Sequence, residues 1–153
     1  MINNKYDFLM IISVKRANPN GDPLNGNRPR EDSFGYGEIS DVCLKRKIRN
    51  RLMDMGENIF VQSDDKRTDE FKTLRERADA VLKGLEKDKE RYAEAACKQW
   101  FDVRAFGQVF AFSKTKDSPE VSVGVRGPVS IHPAFSVDPI EIEDIQITKS
   151  VSS

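Results

Sequence analysis

The chain has little of what builds metal or disulfide chemistry: two cysteines and one histidine in 153 residues. Cys43 and Cys97 are too few for a disulfide framework and lack CxxC spacing. Reduced thiols in a cytoplasmic protein are the simplest reading. With His132 as the sole histidine, zinc sets built on cysteine and histidine are not expected, and no cofactor is. There is no run of about 18 apolar residues, which argues against a membrane span. The opening MINNKYDF lacks the basic and apolar stretches of a secretory signal. Net charge is also missing, since 25 Lys+Arg offset 25 Asp+Glu. Any cationic site therefore has to be a local concentration. At 38% hydrophobic and 33% charged, the chain is polar for a self-sufficient core but far from a disordered composition. Its length suits one ordinary domain.

Such a concentration is present. Residues 45–51 read KRKIRNR, five positive side chains in seven positions, with no carboxylate from Val42 to Arg51. Ser40 or Asp41 is placed to cap a helix that runs to about Met55 and stops at Gly56. Leu44, Ile48, Leu52 and Met55 form one apolar stripe, which predicts a core-facing side. Lys45, Arg46, Arg49 and Asn50 lie beside or opposite it, on the side expected to be free for a ligand. Lys47 and Arg51 flank the stripe, where long stems snorkel. A basic helix face attracts polyanions, because neutralising phosphates releases condensed counterions. It is also a common solvated surface.

Other segments give the expected order of elements. YDFLMIISV at 6–14 is a continuous apolar run with the signature of a buried strand. Residues 17–38 are so dense in glycine and proline that a long irregular loop is expected. The charge-rich stretch at 64–98 predicts one or two surface helices laced with ion pairs, divided at Gly84. WFDVRAFGQVFAF at 100–112 reads as a short helix entering a strand. A strand over 120–131 is interrupted at Gly127-Pro128. Another over 140–147 changes parity at Glu143-Asp144, which suggests a bulge. The sum is an α+β sheet domain.

The run ending VKRANPNGDP, then GNRPRED and GYGEISDVCLKRKIRN, resembles the backbone subunit of type I CRISPR Cascade complexes. The type I-C form fits best, in the Csd-Csh branch of the repeat-associated mysterious protein superfamily. WFDVRAFGQVFAF, VGVRGPVSIHPAFSVDPI and IQITKS are similar to later segments of the same family, in the same order. The resemblance implies a modified ferredoxin-like, RNA-recognition-motif-like palm. Residues 1–153 would be its N-terminal part, with a helical insertion at about 57–98. It further implies a noncatalytic scaffold that grips CRISPR guide RNA by its sugar-phosphate backbone and presents it for pairing with target DNA. Copies of the same chain and other Cascade subunits are the implied partners. Because guides vary in sequence, contacts should go to phosphate and sugar. Asn18, Asn20, Arg28, Arg30, Lys45, Arg46, Arg49, Asn50, Arg104 and Arg126 are the candidates. Each has a plainer reading as a turn former or ion-pair partner. The alternative comes from type III relatives, in which a loop aspartate cleaves RNA with a divalent metal. Asp22 and Asp32 occupy the corresponding loop here.

Overall fold

The computed structural model describes residues 3–115, 119–146 and 148. The chain divides into two compact units, one of Met1–Ser40 with Pro133–Ser153 and one of Asp41–His132.

The Asp41–His132 unit holds the hydrophobic core. It contains α1 (Asp41–Asp54), α2 (Leu74–Leu82), α3 (Lys89–Gln99), α4 (Phe101–Phe106), β4 (Gly107–Phe112) and β5 (Val121–Arg126). Local chemistry fixes the boundaries. Thr73 and Glu76 form a reciprocal capping box at the start of α2, satisfying two backbone donors that the helix leaves open. Gly84, at φ +92, lies in the turn beyond α2, and the Asp88 carboxylate caps α3 through the Arg91 N–H at 3.1 Å. The expected division at Gly84 is therefore observed. The antiparallel β4–β5 pair runs in unbroken register from Gly107↔Arg126 to Phe112↔Val121. Strand alternation turns Phe110, Val121 and Val123 inward while Val109 stays exposed. Phe110 meets Phe60 at a centroid distance of 5.0 Å and Tyr92 edge-on at 5.3 Å. The Tyr92 hydroxyl is buried with no hydrogen-bond partner among the described residues, and desolvation foremost pushes its pKa up to about 12. Where α4 meets β4, the backbones of Gly107 and Gly127 approach so closely that a Cβ on Gly127 would strike the main chain at 105–107. That close approach requires glycine.

The other unit contains β1 (Gly21–Asp22), β2 (Arg28–Pro29), β3 (Tyr36–Ile39) and β6 (Ala134–Pro139). The loop expected at 17–38 is mostly irregular but carries short ladders. β1 pairs antiparallel with β2 across a single 3-10 turn at Pro23–Asn25. Gly26 and Asn27 close that turn at φ +60 and +61, conformations that glycine and asparagine tolerate. β3 pairs antiparallel with β6, with a register irregularity between Tyr36 and Glu38.

Two expected strands are corrected. Residues 6–14 lie in no ladder and are exposed, with Leu9 and Ile11 each at 86%. An apolar run becomes a buried strand only when a sheet edge meets it, and none does here. The strand expected at 140–147 is displaced to 134–139, where β3 supplies the pairing edge. Residues 140–146 carry no regular structure, so the expected bulge at 143–144 has no ladder to interrupt, and residue 147 lies outside those described. The whole is a mixed helix and strand structure with three two-stranded sheets among the described residues. Among those residues no helix is long and apolar enough to cross a membrane.

Candidate nucleic-acid interface

The basic helix α1 is held by a carboxylate far away in sequence. Asp102, 1% exposed, accepts the Arg49 Nε–H at 2.8 Å through Oδ2. The same carboxylate accepts the Phe60 N–H at 2.7 Å and the Val61 N–H at 3.1 Å. Arg49 also lies over the Phe106 ring, 5.3 Å from its centroid. One turn earlier, Arg46 donates from Nη1 to the Val61 carbonyl at 2.8 Å. Burial first, then the neighbouring Arg49 charge, lowers the Arg46 pKa from its usual value. Lys45 pairs with Asp41 at 3.1 Å across one helical turn, and the hydrogen bond from Lys45 is the main cause holding the Asp41 carboxyl below its ordinary range. Asn50 carries a buried Oδ1 with no hydrogen-bond partner among the described residues.

The side of α1 expected to face solvent is therefore half-buried at Lys45, Arg46, Arg49 and Asn50. Val42, Lys47, Arg51 and Asp54 are the exposed residues of α1, and Met55 just beyond it is exposed too. Anchoring of Arg49 to Asp102 explains that rotation better than the apolar stripe does. Sequence reasoning set Lys47 and Arg51 aside. Their freedom would have been visible only to someone who knew that Asp102 claims Arg49.

In the smaller unit the candidate polar residues hold the fold of the loop. The Asn20 Oδ1 accepts both the Ser40 N–H and its hydroxyl at 2.9 Å, and the Asn20 amide donates to the Gly21 carbonyl at 3.1 Å. Asn18 donates to the Asn27 carbonyl at 2.7 Å. Arg28 pairs with Asp144 at 2.6 Å, and Arg30 with Glu38 at 2.9 Å. The two loop carboxylates also serve turns. Asp22 accepts the Leu24 N–H at 3.0 Å, and Asp32 accepts those of Phe34 and Tyr36 at 2.8 and 3.0 Å. Among the described residues no three His, Cys, Asp or Glu side chains converge as a metal set.

Two candidates remain, both in the Asp41–His132 unit. Arg104 donates to the Cys97 carbonyl at 2.8 Å and lies over the Phe101 ring at 4.9 Å. Arg126 is exposed at the end of β5, with no ion-pair partner among the described residues.

Exchangeability with a phosphate differs sharply among these cations. Exposed pairs such as Arg28–Asp144 are worth about 0–1 kcal/mol and can be traded. Arg49–Asp102 cannot be traded whole, because a buried carboxylate would be left uncompensated. Among the described residues no hydrogen bond is made by the Arg49 Nη groups.

What fold and site define is an α+β protein that displays a cationic helix locked in place by a buried carboxylate. Comparison with known proteins gives the family. The model of the family described as CRISPR-associated protein Cas7 matches residues 4–153. A protein of that same description from Haloferax volcanii is 32% identical over 154 aligned residues, covering 90% of this chain. The chain belongs to the Cas7 family. It spans 44% of the length of that relative.

Proposed function

We propose that the chain acts as a noncatalytic backbone subunit of a type I-C CRISPR surveillance complex in the cytoplasm. In this reading it forms the N-terminal part of a ferredoxin-like palm that grips guide RNA along its sugar-phosphate backbone. The guide is thereby presented to target DNA, and further copies of the chain and other Cascade subunits complete the assembly. The observation that carries the reading is the family match over residues 4–153. The cationic helix α1 supports it, because variable guides require contacts to phosphate and sugar rather than to bases. Of the proposed contacts, Arg46 and Arg49 keep guanidinium N–H groups unused among the described residues, and Arg126 is exposed with no ion-pair partner among them. Lys45, Arg28 and Arg30 would exchange their present carboxylate partners for phosphate. Arg104, Asn18, Asn20 and Asn50 would contribute hydrogen bonds. The rival endonuclease reading gains no support from Asp22 and Asp32: one oxygen of each, Oδ1, serves backbone N–H groups of a turn, and among the described residues neither joins a set of three metal-ligating side chains.

The test is binding of the full chain to several single-stranded RNAs of unrelated sequence over a range of salt, with and without Mg²⁺. Similar affinities, a steep salt dependence and intact RNA are expected. Absence of affinity would sink the reading, and so would Mg²⁺-dependent cleavage abolished by Asp22→Ala or Asp32→Ala.

A further inference from the structure

We infer that Arg75 is a latch that fastens the turn end of the β4–β5 ribbon to α2, and that the buried Tyr92 hydroxyl leaves this latch poised to open. The inference goes beyond the guide-RNA reading and does not depend on it. The β4–β5 ladder ends at Phe112↔Val121. Pro119, just before Glu120 and Val121, has no N–H with which to extend it. The Arg75 guanidinium bridges the two strand ends instead. Nη1 donates to the Ser113 carbonyl, and Nη2 donates to the Pro119 carbonyl at 2.9 Å. Nε donates to the Asp79 carboxylate, one turn further along α2, at 3.4 Å, and the guanidinium lies 5.7 Å from the Phe112 ring centroid. A planar fork holds two carbonyls and a carboxylate at once, which an ammonium on a flexible stem does not. The opposite end of the ribbon is fixed separately by the backbone contact of Gly107 with Gly127. The latch therefore governs the turn end alone.

Opening has a driving force of its own. Tyr92 on α3 packs edge-on against Phe110, and Phe110 meets Phe112 edge-on at 6.4 Å. Tyr92 is 1% exposed, and its hydroxyl has no hydrogen-bond partner among the described residues. The charges of Asp79, Glu86 and Arg75 all act on that hydroxyl, so the latch residues lie near it. A buried hydroxyl left unpaired is a cost of the closed state that hydration removes. The charge-assisted bonds of Arg75 are what the open state gives up. Two opposed effects of similar size make local opening far more accessible than unfolding of the core. Opening bares the Phe112 ring and the Ser113 and Pro119 carbonyls, while the Phe60–Phe110 packing stays in place.

The test is native-state amide hydrogen exchange, resolved by residue, on the full-length parent, Arg75→Lys and Tyr92→Phe. Arg75→Lys keeps the charge and loses the fork. Exchange at Phe112, Val121 and Ser122 is expected to quicken about tenfold, while Gln108 and Val125 at the other end keep the parental rates. Tyr92→Phe removes only the unpaired oxygen, so exchange at the same turn-end amides should slow by about tenfold. A plain structural cross-link accounts for the first result but not for the second. Uniform acceleration along both strands in Arg75→Lys, no acceleration, or a chain that does not fold each overturns a local latch. Unchanged or faster turn-end exchange in Tyr92→Phe overturns the part given to the hydroxyl, and this arm is read whatever Arg75→Lys does.

Discussion

Replacing Asp102 by alanine tests whether the basic helix is held as described. The carboxylate is 1% exposed and takes three donors at once: the Arg49 guanidinium and the N–H groups of Phe60 and Val61. Asp102→Ala strands all three. Removing one partner of a buried ion pair costs about 3–5 kcal/mol. Each buried donor left unsatisfied costs about 1–3 kcal/mol. These losses share one cavity and are not additive, so about 4 kcal/mol is the expected total. Arg49→Ala should cost nearly as much, because it leaves the buried carboxylate uncompensated. The double variant should then lose less than the sum, by about 1–3 kcal/mol of coupling. Asn at position 102 is no rescue, since its amide would turn N–H donors toward existing donors. Urea titration followed by fluorescence of Trp100, the single tryptophan and 3% exposed in the core, reads the unfolding directly. Arg28→Ala is the exposed control and should cost under about 1 kcal/mol. Folded Asp102→Ala protein within 1 kcal/mol of the parent, or strict additivity with Arg49→Ala, would refute the anchor.

Further predictions concern the core junction and acid stability. Gly127→Ala should destabilise by about 3 kcal/mol, because the added methyl meets backbone that cannot swing aside. Gly124→Ala, with open space around its position, should be near neutral in the same thermal melts. Asp69 receives two bonds from Arg77, at 2.6 and 2.7 Å, and that guanidinium is the main cause holding its carboxyl below the ordinary value of 3.8. The folded state thus favours the charged carboxylate, so its stabilisation is complete above that value and lost as pH falls through the lower folded pKa. Asp69→Asn should remove that acid-side loss from a stability–pH profile. An unchanged acid limb in the variant would dismiss the pair as its source.

Helices and their ends were legible because their signals are local. Asp41, Gly56 and Gly84 punctuate the chain at the start of α1 and just beyond the ends of α1 and α2. Pairing was not legible, because a strand needs an edge that the local sequence does not name. Residues 140–147 alternate better than 134–139, yet β3 meets the latter, nearly a hundred residues away in sequence. In the 17–38 stretch, the density of turn residues argues against regular structure. Here the same Gly26 and Asn27, at positive φ, close a ladder. The charge cluster of the site was plain from the sequence, but its rotation was not. That depends on Asp102, 53 residues beyond Arg49.

The segment 6–14 is where sequence pattern and structure disagree most, and amide hydrogen exchange can decide between them. Its side chains are strongly apolar, and burying a residue such as Leu9 or Ile11 is worth about 1.5–3 kcal/mol. In the structure no sheet ladder includes this stretch, so nothing offsets the cost of ordering it. β4 and β5, by contrast, share an unbroken ladder over a core of packed aromatic rings. For the chain alone, amides of 6–14 should exchange near the rate of an unfolded peptide, while those of Phe110 and Val123 should persist by orders of magnitude longer. In an assembled complex, the palm reading requires the same 6–14 amides to become protected, since a strand there needs a pairing edge from outside the structure described. Protection of 6–14 in the isolated chain to the level of β4 would mean that it finds an edge unaided. Lack of protection in the complex would remove the strand from the palm.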